Sequence, residues 1–167
     1  MKKLLSVSIG ITILAVSAGF NLIAHSLVSN ANQEVELKAK ISCKDFLLEM
    51  GSKPKELEFL ECKNTESFGL DALEASYRVS GKDAAKIEGF LQQKFKMSKL
   101  KFLCCGWEPV FVTENGANSS GKAYYTDKFG HRYEITMHSG ETLVNERQDW
   151  QKIPFFYVKV VALLEAP

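Results

Sequence analysis

The sequence is short of the residues from which metal and acid–base sites are usually built, with 3 histidines and 4 cysteines in 167 residues. No two cysteines stand two to four residues apart, so the paired pattern of a zinc site is missing. No G-x-S-x-G, H-E-x-x-H or glycine-rich phosphate loop occurs, which removes the common hydrolase, zinc-protease and nucleotide-binding signatures. An excess of one charge is also lacking: Lys plus Arg number 21 against 20 for Asp plus Glu. That balance supplies no basic field for nucleic acid, which is excluded as a partner. Only 25% of residues are charged and 46% are hydrophobic, so the composition of a disordered chain is absent too. A packed core follows, in a chain of a length that fits one domain with an appendage.

Charge is absent again from Leu4 to Ala24, directly behind Lys2 and Lys3. Ser29-Asn30-Ala31 then places small residues at the two key positions of a cleavage site, so residues 1–31 read as a signal peptide. An apolar stretch of about 20 residues is also long enough for an uncleaved membrane anchor, although Asn21 and His25 weaken that reading. No cysteine ends the run, so no thiol is there to receive a lipid. Removing residues 1–31 would take away two lysines and leave 136 residues with a formal charge of −1. The expected address is periplasmic or secreted, with a membrane location only if the segment stays uncleaved. All four cysteines lie in the exported part, and an oxidising compartment makes disulfides their expected use.

Residues 32–41 form a polar leader, and 42–167 read as a single α+β domain. Ser42 is the expected N-cap of a helix over about 43–50, with Gly51 as its stop. Leu57 to Cys62 reads as a strand and Lys63 to Gly69 as a loop. Leu73, Ala75, Tyr77 and Val79 alternate with polar residues, the two-residue period of a half-buried strand. Ala84, Ile87, Phe90, Leu91 and Phe95 recur at helical spacing, and Leu100 to Cys105 reads as a third strand. That strand, helix, strand order predicts one crossover with its two strands parallel. From there, short alternating runs are divided by turn residues at Asn115-Gly116, Asn118 to Gly121, Asp127 to Gly130 and Ser139-Gly140. The last strand is placed at about Phe155 to Leu164. The architecture expected is two helices packed on a mainly antiparallel sheet.

The cysteines are the most informative residues. All four, Cys43, Cys62, Cys104 and Cys105, are disulfide candidates. The first helix and the following strand should run antiparallel, which brings Cys43 and Cys62 to the same end and makes them the first pairing. A bond between neighbours Cys104 and Cys105 would be strained, so cross-pairings with the doublet stay open. On a strand the two would point to opposite faces. His131, Glu134, His138 and Glu141 lie close in sequence, yet they fit the solvated side of a hairpin better than a metal site. No metal, cofactor or catalytic set is expected. Among the aromatic residues, Trp107, Tyr124, Tyr125 and Trp150 are the candidate anchors for a partner, and one of the two adjacent tyrosines must face away from the core.

Four runs carry a family resemblance: Cys43-Lys-Asp-Phe-Leu; Gly51-Ser-Lys-Pro54; Tyr77-Arg-Val-Ser-Gly81; and Leu103-Cys-Cys-Gly-Trp-Glu-Pro109. Together they resemble the small exported bacterial proteins grouped as domain of unknown function 4952. The resemblance implies a single exported domain and brings no reaction, catalytic residue or cofactor. By size, address and lack of motifs the chain is also similar to periplasmic immunity proteins. The expected function is therefore a non-catalytic protein-binding module of the bacterial envelope, of inhibitor or toxin-immunity type, whose partner is a secreted or envelope protein. Two alternatives stand beside it: an envelope hydrolase using Glu134, His138 and Glu141, and a structural protein held by an uncleaved anchor.

Overall fold

The computed structural model describes residues 41–51, 53–67, 69–114 and 117–164, all within one compact unit. The expected signal segment 1–31, residues 32–40 of the leader and the Asn115-Gly116 turn lie outside the described residues. No helix among the described residues is long and apolar enough to cross a membrane.

Helix α1 (Phe46–Glu49) is shorter than expected because its cap is Asp45 and not Ser42. The Asp45 side chain accepts the Leu48 N–H at 3.1 Å, satisfying one of the amides that a helix start leaves free. Cys43 stays outside the helix, bonded to Cys62. Gly51 ends the turn at φ 72°, as its position predicted.

Strand β1 (Glu58–Ser67) and strand β2 (Leu70–Ser80) form an antiparallel hairpin in which Ser67 faces Leu70. The run expected to be a loop, Lys63 to Gly69, is therefore strand as far as Ser67. Its polar composition reflects an edge position, where charged side chains stay solvated and discourage pairing with another chain. Gly69, at φ 76°, takes the backbone conformation that the tight turn requires.

Five strands make the main sheet in the order β1-β2-β8-β7-β6, every pair antiparallel, where β6 is Ala123–Thr126, β7 is Arg132–Ser139 and β8 is Phe155–Leu163. The period-two alternation of these strands decides which face is buried. Leu73, Ala75, Tyr77 and Val79 share the core side with Phe156, Val158, Val160 and Ala162, and with Ile135 and Met137. Helix α2 (Ala84–Phe95) covers that side with Ala84, Ile87, Leu91 and Phe95, and Phe46 and Leu47 of α1 complete the cover. Tyr77 is fully buried, and its hydroxyl accepts the Leu47 N–H at 3.1 Å, which fastens α1 to the sheet.

A second sheet has the order β3-β4-β5, formed by Leu100–Leu103, Gly106–Val112 and Asn118–Ser120. The expected α+β class, with helices on a mainly antiparallel sheet, is the one observed. The crossover is different in detail: β2, α2 and β3 follow in order, but β2 and β3 enter different sheets, so no parallel pair forms. Strand β8 takes the place beside β2 instead, pairing along the whole length from Ala72–Leu163 to Ser80–Phe155. Asn118 to Ser120, expected as a turn, is an exposed strand held by β4. Gly121 follows it at a point of close approach, where an added Cβ would run into the Ser98 side chain and the Pro109 backbone.

Candidate functional site

Among the described residues no helix covers the outer face of the main sheet, and the residues on that face follow from register. Glu58 faces Arg78, Arg78 faces Tyr157, and Tyr157 faces His138, a row across four strands. Arg78 donates to Glu58 through two nitrogens at 2.7 and 3.1 Å and lies 4.8 Å from the Phe155 ring centre. The hydrogen bond from Arg78 holds the Glu58 carboxyl below the usual range. His138 stacks on Tyr157 with ring centres 5.8 Å apart. Alternation along β8 puts Phe155, Tyr157 and Lys159 on this face because Phe156, Val158 and Val160 occupy the core side. In the sequence, Arg78, Tyr157 and Lys159 are marked by that alternation and by no motif.

Beside this row, β4 and β5 stand against β7 and β8 and form a groove of about 500 Å³. Pro109 and Val110 line one wall, and Lys122, Thr136, His138 and Lys159 line the other side. Lys159 reaches Glu74 at 3.3 Å, and Lys122 reaches Glu134 at 2.6 Å. Glu134 was expected on the wet side of its strand and is instead buried, its second oxygen without a hydrogen-bond partner among the described residues. The groove is lined by two ammonium groups, each paired with a carboxylate, and an imidazole, with Glu108 as a further acid on its rim.

The four cysteines divide into two pairs. Cys43 and Cys62 form the expected disulfide, with Cα atoms 5.4 Å apart. Cys104 and Cys105 are both free and exposed, which corrects the expectation that all four are bonded. They also lie beyond the end of β3, in the turn that joins it to β4, where Leu103 pairs with Gly106. Opposite strand faces therefore no longer apply to them. Cys104 has φ 54°, an uncommon conformation for a residue with a side chain, and Cys105 N–H closes the turn onto the Leu103 carbonyl. The hydrogen bond with the Cys104 side chain pushes the Cys105 thiol above its ordinary range, assisted by Glu141 and Glu108.

Two of the four aromatic anchor candidates are core residues. Trp107 and Trp150 are 4% and 3% exposed, stacked edge to face at 5.0 Å, and the Arg147 guanidinium covers both. Their burial follows from the way β4 folds back onto the 3-10 helix Arg147–Lys152. Tyr125 packs edge-on against Phe95, so the tyrosine that faces away is Tyr124, 65% exposed.

The acid and histidine candidates do not gather. His131 is bonded to Asp127, Nδ1 to Oδ2 at 2.9 Å, in the turn before β7. Glu134 and His138 share a face but are four residues apart on one strand, about 13 Å. Glu141 lies past the end of that strand. No group of three or more His, Cys, Asp or Glu placed to hold a metal ion occurs among the described residues.

Residues 31–107 match the model of a family described as a domain of unknown function, DUF4952. The match covers 77 of the 167 residues, and over that stretch the chain is similar to DUF4952. No curated protein and no solved structure matches the chain. The DUF4952 match contains all four cysteines, helices α1 and α2 and strands β1 to β3, and it ends at Trp107. The structural unit does not end there, since β8 is inserted beside β2 and completes the sheet.

Proposed function

We propose that this protein is an exported, non-catalytic protein-binding module of the bacterial envelope, of inhibitor or toxin-immunity type, that engages its partner with the open face of its main sheet. The observation that carries this reading is the uncovered row of Arg78, Tyr157 and His138 continuing into the groove beside Lys159. Arginine and aromatic side chains dominate interface energy because they bring large contact area together with a polar tip. With Lys122 and Lys159 set against Glu74, Glu108 and Glu134, the groove is close to charge-balanced and suits a mixed polar segment of the partner. Tyr124, exposed at the edge strand, extends the same surface. Export is supported by the charge-free run from Leu4 to Ala24 and the small residues ahead of Ala31.

The test is capture from an envelope extract with three proteins: wild type, the double variant Tyr157→Ala/Lys159→Glu, and Leu48→Ala on the opposite, helix-bearing side. A partner retained by wild type and Leu48→Ala but lost by the double variant supports the open face. Equal retention by all three would place the contact elsewhere. The mass of the protein recovered from cells decides the address separately, since cleavage after Ala31 leaves 136 residues.

A further inference from the structure

We infer that the Cys104-Cys105 turn is a chelating dithiol site for a trivalent thiophilic metalloid, a dihydroxyarsine R–As(OH)2, taken up through both sulfurs at once. Three observations lead there. Both side chains are exposed and neither is bonded, while the other two cysteines are closed in a disulfide. The pair is presented by a turn fastened at its base: Thr142 N–H donates to the Cys105 carbonyl at 2.7 Å, and Trp107 N–H donates to Ser139 Oγ at 2.9 Å. The buried Trp107 then ties that base to the core, donating Nε1–H to the Val144 carbonyl at 2.8 Å.

The choice of ligand follows from geometry. Neighbouring Cα atoms are about 3.8 Å apart, which is short of the roughly 4.4–6.8 Å spanned by ordinary disulfides. Closing the two sulfurs on each other would require the turn to be remade. An atom placed between them lengthens the bridge and removes that demand. Zinc in a structural site takes four protein ligands, and only two sulfurs are offered here. Trivalent arsenic takes two thiolates and brings its third substituent with it. The exchange balances without an oxidant: two As–O bonds break, two As–S bonds form, and each thiol proton leaves with a hydroxide as water. Arsenic stays trivalent throughout. The hydrogen bond with Cys104, with Glu141 and Glu108 assisting, favours the protonated thiol at Cys105, which slows thiol–disulfide exchange because the thiolate is the attacking species. The second As–S bond is intramolecular, so the pair outcompetes free monothiols.

The experiment uses the folded protein with Cys43–Cys62 intact and phenylarsonous acid as the probe, read by intact mass. One adduct per chain is expected, surviving excess glutathione and stripped by a small dithiol. Cys104→Ser and Cys105→Ser should each lower retention against glutathione by about a hundredfold, the scale of the lost intramolecular advantage. Circular dichroism of both variants serves as the folding control, and their exposed positions predict an unchanged spectrum. Retention by either single variant equal to wild type would overturn the site, as would no adduct on wild type. Native protein isolated two hydrogens lighter at this doublet, already closed as a disulfide, would overturn it too. The proposal rests on the turn alone, so Tyr157→Ala/Lys159→Glu should bind the probe as wild type does.

Discussion

Asp127 shows how one carboxylate organises a hairpin end. Its Oδ1 accepts the N–H groups of Phe129 and His131, both at 2.9 Å, while Oδ2 faces the His131 ring and accepts from the Tyr133 hydroxyl at 3.2 Å. Burial pushes this carboxyl up, but the hydrogen bonds from the His131 ring and from the two amides outweigh it, and the group titrates below its ordinary value. A depressed folded-state value means stability that is present above the unfolded value, near 4, and lost as pH falls through the folded one. Asp127→Asn should therefore flatten the acid limb of a melting-temperature profile below about pH 4 and lower stability at neutral pH. An acid limb identical to wild type would show that the cluster does not couple to folding. Glu88 is the other residue of this kind. It is buried, it receives Arg147 through two nitrogens at 2.8 and 2.5 Å, and it accepts the Leu100 N–H at 2.7 Å. Arg147 is a third exposed, which screens the pair, so Glu88→Ala should cost about 2–3 kcal/mol, below the 3–5 of a fully buried pair. Chemical denaturation measures this directly.

At the scale of elements, the ends of α2 carry the sharpest expectations. Its C-terminus is closed by Lys96 at φ 64°, where the left-handed conformation costs a side-chain-bearing residue about 1 kcal/mol. Lys96→Gly should raise stability by several tenths of a kcal/mol, with the helix otherwise unchanged, and a lower melting temperature would contradict the capping argument. Ahead of its N-terminus, Gly81 lies against the 3-10 helix so closely that an added Cβ would meet the carbonyl oxygens of Trp150 and Ile153. These are backbone atoms that cannot swing aside, so Gly81→Ala should destabilise by about 2 kcal/mol or more. The disulfide links two further elements, the segment before α1 and strand β1, across 19 residues. Reducing it should remove roughly 3 kcal/mol in the chain-entropy account, about 10 °C in melting temperature for a domain of this size. Parallel melts with and without reductant test this, and Cys43→Ala/Cys62→Ala should reproduce the reduced curve.

For the whole molecule, the segments that could be read in advance are those whose burial follows one simple period. The alternation from Leu73 to Val79 and from Phe156 to Ala162, and the helical spacing from Ala84 to Phe95, each describe a face that meets the core, and each is found as expected. The Cys43–Cys62 pairing is found, but not by the end-to-end geometry expected of it: Cys43 precedes α1 and Cys62 sits in the middle of β1. Polar strands were not accessible. Lys63 to Ser67 and Asn118 to Ser120 bury little, so no apolar period marks them, and only their partners in the sheet make them strands. The surface of the proposed partner site was hidden in the same way: Arg78, Tyr157 and His138 are far apart in the chain and are neighbours through register alone. The amino-acid sequence by itself determined the class of fold and the core faces, since local periodicity suffices for those, while the choice among the cysteine pairings was left to the tertiary structure. Tertiary structure decided which sheet β3 joins, that Trp107 and Trp150 are interior, and that Cys104 and Cys105 share a turn. These depend on which distant strands pair, a choice set by burial summed over the whole chain and carried by no short stretch of it.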